Sequence, residues 1–249
     1  MTFLTNIAAW FDGVKAEFIL NFVDKNRWKL LLNGLGNTLL ISLLACLIGI
    51  VLGVLIAIVR TSWDNTGRDR PKGFARGVMA VLNRICVLYT TVIRGTPVVI
   101  QLLIMYYVIF ASSSNGLMVA TIAFGLNSGA YVSEIVRGGI LSVEKGQMEA
   151  GRSLGLNYVQ TMWFVIAPQV LKTVLPTLAN EFISLLKETS VAGYVAVADL
   201  TFAGNRIRGV TYSAFMPLIA VALIYLLLVV FLTHLVGKLE RRLRQGDNR

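Results

Sequence analysis

Residues 142–157 read SVEKGQMEAGRSLGLN, a polar, glycine-bearing segment between hydrophobic runs too long and too apolar for a soluble domain. Read as a short helix, it lines up Val143, Gly146, Ala150, Gly151 and Leu154 as a stripe of small or apolar residues. Glu144, Lys145, Gln147, Glu149 and Arg152 lie mostly to the sides of that stripe. So small a stripe is poor at building a core of its own. It is shaped for insertion into a groove on another protein, or it is an ordinary loop between helices, and spacing alone leaves both open.

The flanking runs decide the class. Of 249 residues, 56% are hydrophobic and only 14% charged, where a soluble domain carries about 25% charged residues. Residues 30–59 contain no charged side chain; at about 1.5 Å per residue they easily cross a hydrocarbon layer about 30 Å thick. Further spans are predicted at 85–111, 117–137, 170–196 and 215–236. The expected fold is therefore an all-α integral membrane protein of about five transmembrane helices. Residues 1–29 form an amphipathic surface segment, with Trp10, Val14, Phe18 and Phe22 at every fourth position. Residues 30–237 form the transmembrane domain, which contains the 142–168 loop, and 238–249 form a basic tail. Gly49 and Gly53, four apart, predict a close helix contact.

The net charge of +10 does not imply nucleic acid, because the basic residues sit between the apolar runs. Six lie in 60–84, four in 137–172 and five in the tail, against four in 1–29 and two in 199–213. That asymmetry places residues 142–157 and the C-terminus inside and the N-terminus outside. Residues 199–213 are expected as a turn-rich outer connection. Cys46 and Cys86 lie in or beside apolar spans and imply no disulfide framework. His234 is the only histidine and builds neither a metal site nor a catalytic triad.

Polar groups inside spans are costly and normally face a cavity, a ligand or a partner charge. Arg94 and Thr96 interrupt the second span, where Gly95 and Pro97 can kink or break the helix. Asn127 and Glu134 lie in the third span. In the fourth, Thr177, Glu181, Ser184 and Glu188 fall at steps of four, three and four, along one helix face. A satisfied contact between helices is the competing reading of this stripe.

The order Glu149-Ala150-Gly151-Arg152-Ser153-Leu154-Gly155, then Val165-Ile166-Ala167-Pro168, resembles the EAA cytoplasmic loop of permease subunits of binding-protein-dependent ABC importers. The family pattern is Glu-Ala-Ala, three residues, Gly, nine residues, then Ile-x-Leu-Pro. It is met at Glu149, Ala150, Gly155 and Pro168; Gly151 stands for Ala, Val165 for Ile and Ala167 for Leu. The stretches 93–97 (IRGTP), 127–139 (NSGAYVSEIVRGG) and 185–190 (LLKETS) resemble the polar amino acid branch of that family.

The resemblance implies a type I importer permease fold in the bacterial cytoplasmic (inner) membrane. It implies a coupling helix carrying Glu149, Ala150, Gly151, Arg152 and Gly155 that docks in a cleft of a cytoplasmic ABC ATPase subunit. It also implies a second permease subunit, identical or paralogous, an extracytoplasmic solute-binding protein, and polar amino acids as substrate. The chain has no Gly-x-x-x-x-Gly-Lys-[Ser/Thr] stretch of its own. It is therefore expected to be no enzyme, with no cofactor in this chain and ATP-Mg on the partner ATPase. An amino acid needs a cation for its carboxylate and an acceptor for its ammonium. Arg94 suits the first role and Glu181 or Glu188 the second, and two acids on one stripe favour neutral or basic amino acids. An ion-coupled secondary transporter or channel would use the same intramembrane charges without an ATPase.

Overall fold

The computed structural model describes residues 2–64 and 73–245. Arg68, Arg70 and Lys72 of the basic connection, with Pro71, lie outside them. Every regular element among the described residues is a helix. Helix α1 (Thr2–Phe18) runs through a π-helical turn (Ile19–Val23) and a tight turn (Asp24–Asn26) into α2 (Trp28–Ser62). Then follow α3 (Phe74–Gly95), α4 (Val98–Ile104) with its π-helical extension (Met105–Ile109), and α5 (Gly116–Leu141). Short helices α6 (Lys145–Ser153) and α7 (Tyr158–Thr161) lead into α8 (Ala167–Glu188), which a 3-10 segment (Thr189–Val195) prolongs. Helices α9 (Leu200–Thr211) and α10 (Phe215–Gln245) complete the chain.

Five of these segments are long and apolar enough to cross a membrane: Trp28–Ser62, Phe74–Gly95, Gly116–Leu141, Tyr158–Val195 and Phe215–Leu243. Their apolar side chains point outward as well as inward. Leu43, Leu47, Val51 and Leu55 of α2 are exposed, as are Leu223, Leu227, Val230 and Phe231 of α10. Lipid is the solvent that accepts such a surface.

The centre of the fold is the α2–α5 pair. A Cβ on Gly49 would lie 2.7 Å from Ser128 Oγ, one on Gly53 2.6 Å from Val132 Cβ, and one on Gly125 2.7 Å from Ile48 Cγ2. Small residues on both helices thus let the backbones approach, as the Gly49/Gly53 spacing predicts. Three apolar clusters surround the pair. One joins Ile41, Leu102, Phe124 and Leu185. A second joins Phe22, Leu31, Ile207 and Val221. The third joins Ala57, Val136, Ile166 and Val174 beneath α6.

Two expectations are corrected. The second span begins at Phe74, not at residue 85. Val78, Val81, Leu82 and Ile85 carry its apolar face back through the basic stretch, and all four are exposed. Second, 199–213 is not turn-rich but mostly the helix α9. Asp199 caps it, accepting from the Phe202 and Thr201 amides at 2.9 and 3.1 Å. Leu200, Ala203, Gly204 and Ile207, at helical spacing, are its buried face.

Candidate functional site

The break in the second span is built by Gly95, Thr96 and Pro97. Helix α3 ends at Gly95, Thr96 is extended (φ −123°, ψ 146°), and α4 starts after Pro97. Proline disfavours α conformation at the residue before it, and at this break the last carbonyls of α3 are left without helical partners. Gln101, one turn into α4, supplies them. Its Nε2 donates to the Ile93 carbonyl (2.7 Å), the Thr96 carbonyl (3.1 Å) and Thr96 Oγ1 (2.8 Å). Its Oε1 accepts from Asn127 Nδ2 at 2.9 Å. Asn127 is buried on α5. One glutamine therefore ties the helix break to the central helix.

Arg94, at the same break, lays its guanidinium over the Tyr131 ring, 5.5 Å from the centroid. It is exposed and makes no ion pair among the described residues. Tyr131 stands one turn beyond Asn127 on α5, so both face the break. Next to Asn127, Ser128 donates to Glu181 Oε1 of α8 at 3.4 Å. Residues 127, 128 and 131 thus join Arg94, Thr96 and Glu181 around one side of α5.

Other predicted residues are placed differently. Glu134, lower on α5, is paired with Arg60 of α2 through a short contact and with Arg137 at 3.4 Å; Arg137 also reaches Asp64 at 3.5 Å. This ion network clamps α2 to α5. Thr177 is exposed and donates to the Thr173 carbonyl at 3.3 Å. Ser184 and Glu188 are half-buried on α8, with Lys187 adjacent and exposed. The structure therefore groups Arg94, Thr96, Asn127 and Glu181, and leaves Glu134 in a separate cluster.

At the other functional candidate, the predicted stripe on α6 divides. A Cβ on buried Gly151 would lie 2.4 Å from Thr161 Cγ2, and Val143 and Met148 pack against the cluster beneath. Gly146, Glu149, Ala150 and Arg152 are exposed, and Leu154 is 83% exposed. The helix closes on Gly155 at φ 85°. The Leu156 amide donates to the Gly151 carbonyl at 3.2 Å and the Gly155 amide to the Arg152 carbonyl at 3.0 Å. This is a glycine C-cap with both orphan carbonyls satisfied, and it needs the left-handed conformation glycine adopts without strain. Asn157 and Gln160 then cap α7 reciprocally, at 2.9 Å each way.

Sequence reasoning missed Gln101 and Tyr131 as parts of the site, and it gave Ser128 only as a polar residue within the third span. Gln101 was detectable as an uncharged polar residue four positions beyond an intramembrane proline. Tyr131, and the role of Ser128, become visible only once their neighbours are known. Among the described residues, no three His, Cys, Asp or Glu side chains are grouped to hold a metal ion.

Residues 73–245 match the model of the binding-protein-dependent transport system inner membrane component. The chain is 34% identical over 220 residues to the arginine transport system permease protein ArtQ of Bacillus subtilis (strain 168), covering 87% of this chain and 94% of the relative. It is 35% identical over 244 residues to the L-cystine transport system permease protein TcyB of the same organism, covering 97% of each. A crystal structure of an amino acid ABC transporter with histidines superposes with a TM-score of 0.77 at 36% identity, covering 89% of this chain and 98% of that one. An inward-facing methionine ABC transporter shares the fold at a TM-score of 0.67 and 22% identity, covering 88% and 96%. The helix break, the capped exposed α6 and these likenesses agree: the chain belongs to the binding-protein-dependent transport system inner membrane components, the permease subunits of ABC importers.

Proposed function

We propose that this permease carries polar amino acids inward across the cytoplasmic membrane, powered by ATP-Mg bound and hydrolysed on a separate ATPase subunit. The relatives transport arginine, cystine and glutamine by name. The observation that carries the reading is the union, on one side of α5, of Arg94 over Tyr131 with Glu181 on Ser128. A cation and a carboxylate approaching one side of one helix match the carboxylate and ammonium of an α-amino acid. Thr96 and Asn127 are held by Gln101 and shape that side; Thr177, Ser184 and Glu188 continue the stripe along α8. Glu134 acts as a brace between α2 and α5.

The exposed Glu149, Ala150, Arg152 and Leu154 of α6 enter a cleft of the ATPase, with Gly151 seated on the permease side and Gly155 turning the chain back. Closure of two ATPase subunits moves two such helices together and reorients the paired permeases, which are identical or paralogous. Residues 142–157 and the C-terminus lie inside, the N-terminus outside, where a solute-binding protein delivers the substrate. The test is uptake by proteoliposomes holding the complete complex. Glu181→Gln should lower uptake at least about tenfold, the effect of losing one charged hydrogen-bonding group, while the ATPase still co-purifies. Uptake equal to the parent removes Glu181 from the path, and uptake without any ATPase favours an ion-coupled carrier.

A further inference from the structure

At the start of the first span, a cavity of about 470 Å³ opens between the Asp24–Asn26 turn, the first turn of α2 and helix α9. Four cations line it: Lys25, Arg27, Lys29 and Arg206. Its apolar lining is Leu30, Ile207 and Val210. The acids close by in sequence are Asp24 in the turn itself and Glu17 on α1, so positive charge dominates. Lys25 and Asn26 both take left-handed backbone (φ 52° and 54°) without being glycine. Such conformations cost of order 1 kcal/mol each and persist where surrounding structure holds them. Here they direct the turn into the recess.

The recess sits at a membrane–water boundary. Trp28 opens the first apolar span, and the Lys29 ammonium lies 5.8 Å over its ring. Ile19, Leu20, Val23 and Trp28 beside it are exposed, and an aromatic with flanking cations marks the headgroup level. One terminal nitrogen of Arg27 donates to the Leu20 carbonyl, which fixes the guanidinium and leaves its other N–H groups for an anion.

We propose that this cavity holds the headgroup of an anionic phospholipid, with the phosphate on Lys25, Arg27, Lys29 and Arg206 and the acyl chains along Leu20, Val23 and Trp28. A protein with an acidic face is the other source of such charge. It would meet a recess whose rim is apolar side chains destined for the acyl layer, and a lipid satisfies both halves at once.

The test uses the purified full chain in nanodiscs of phosphatidylcholine, titrated with phosphatidylglycerol, with lipid retention read by native mass spectrometry. Each cation near an anionic headgroup changes affinity about fivefold. Lys29→Gln should weaken phosphatidylglycerol binding about fivefold and Lys25→Gln/Arg206→Gln about 25-fold. Arg208, two positions along α9 from Arg206 and so turned about 200° away, is the control: Arg208→Gln should leave binding unchanged. Equal weakening by Arg208→Gln, or wild-type affinity in both cavity variants, overturns the proposal. So does displacement of the lipid by an equal concentration of inorganic phosphate, which would make this a free-phosphate site. Unchanged lipid affinity with lost binding of the solute-binding protein would likewise overturn it, and would assign the cations to protein docking.

Discussion

Gly151 is where one added methyl should separate docking from folding. The resemblance puts alanine at this position in the family, yet here a Cβ would lie 2.4 Å from Thr161 Cγ2, 3.0 Å from its Oγ1 and 3.3 Å from its Cβ. Thr161 cannot step aside. It is fully buried, stiff at χ1, and its hydroxyl donates to the Asn157 carbonyl at 3.0 Å. A contact this short belongs in the upper part of the usual overpacking cost, about 2–3 kcal/mol. Replacing glycine by alanine in a helix returns up to about 1 kcal/mol, which leaves a net cost of about 1–2 kcal/mol. In the free permease α6 can lift slightly and relieve the clash. On the proposed docking, the ATPase cleft holds the helix on its seat and the full cost falls on binding. Gly151→Ala should therefore weaken ATPase binding about 5–30-fold, measured by titrating nanodisc-held permease with the purified ATPase. Thr161→Ser removes Cγ2 and keeps the hydroxyl, so the double variant should return to within about twofold of the parent, a coupling that neighbours in contact show and distant sites do not. Wild-type affinity in Gly151→Ala, or no rescue by Thr161→Ser, refutes the seat.

Three further outcomes follow from the same geometry. Glu134→Gln strips the partner from Arg60, whose side chain is only 15% exposed; it should cost about 2–4 kcal/mol, short of the fully buried case, and Arg60→Gln added to it should recover most of the lost yield of folded protein in membranes. Gln101→Leu leaves buried Asn127 without its acceptor, and the carbonyls at the α3 break without their donor, so denaturation should register a loss of about 1–3 kcal/mol. Asp199 is fully buried, and burial holds its carboxyl above the usual range against the Phe202 and Thr201 amides that favour the charge. An acid raised in the folded state carries no penalty below its unfolded pKa and the full penalty above its folded one. Lowering the pH through that window should therefore stabilise the parent. Asp199→Asn should flatten this pH dependence in thermal melts, and Asp199→Ala should lose about 0.5–2 kcal/mol with the cap.

The legible parts of this chain were those in which one residue type has one physical outlet. The uncharged run 30–59 has only a bilayer or a core to occupy, and composition rules out the core. Pro97 directly after Gly95 and Thr96 favours a helix break, where Pro176 alone leaves α8 continuous, and Gly155 before a new helix marks a left-handed cap. The α9 helix is masked in the sequence because Gly204, Asn205 and Gly209 look like turn residues, although Asp199 and the spacing of Leu200, Ala203 and Ile207 outweigh them. The α3 start is hidden in the sequence because Arg76 and Arg84 read as loop charge. The α6 stripe was seen but not divided: nothing in 142–157 tells which small residues face the chain's own Thr161. Gln101 was passed over for the same reason, since its value lies in carbonyls that only the folded break exposes.

The packing also indicates where motion is permitted. Helices α2 and α5 are locked by interdigitated glycine contacts and by the Arg60–Glu134–Arg137 network, so they move as one body. Between α8 and α5 the joints are of two kinds. Near α6, a Cβ on Gly139 would lie 2.3 Å from Val174 Cγ2, so α8 bears closely on α5 there. At the level of the break, the polar link is the Ser128–Glu181 hydrogen bond of 3.4 Å, at the weak end of the range. A push on α6 passes through Met148 and Thr161 into Ile166 and Val170 at the start of α8. With the Gly139 contact as fulcrum, the polar contact with least to lose is the one at Glu181, while Leu185 and Phe182 beside it stay packed in the cluster of Phe124. On the proposed mechanism, the carboxylate facing the substrate is therefore the first group to leave its partner when the ATPase subunits close, and the locked α2–α5 body is what it leaves behind.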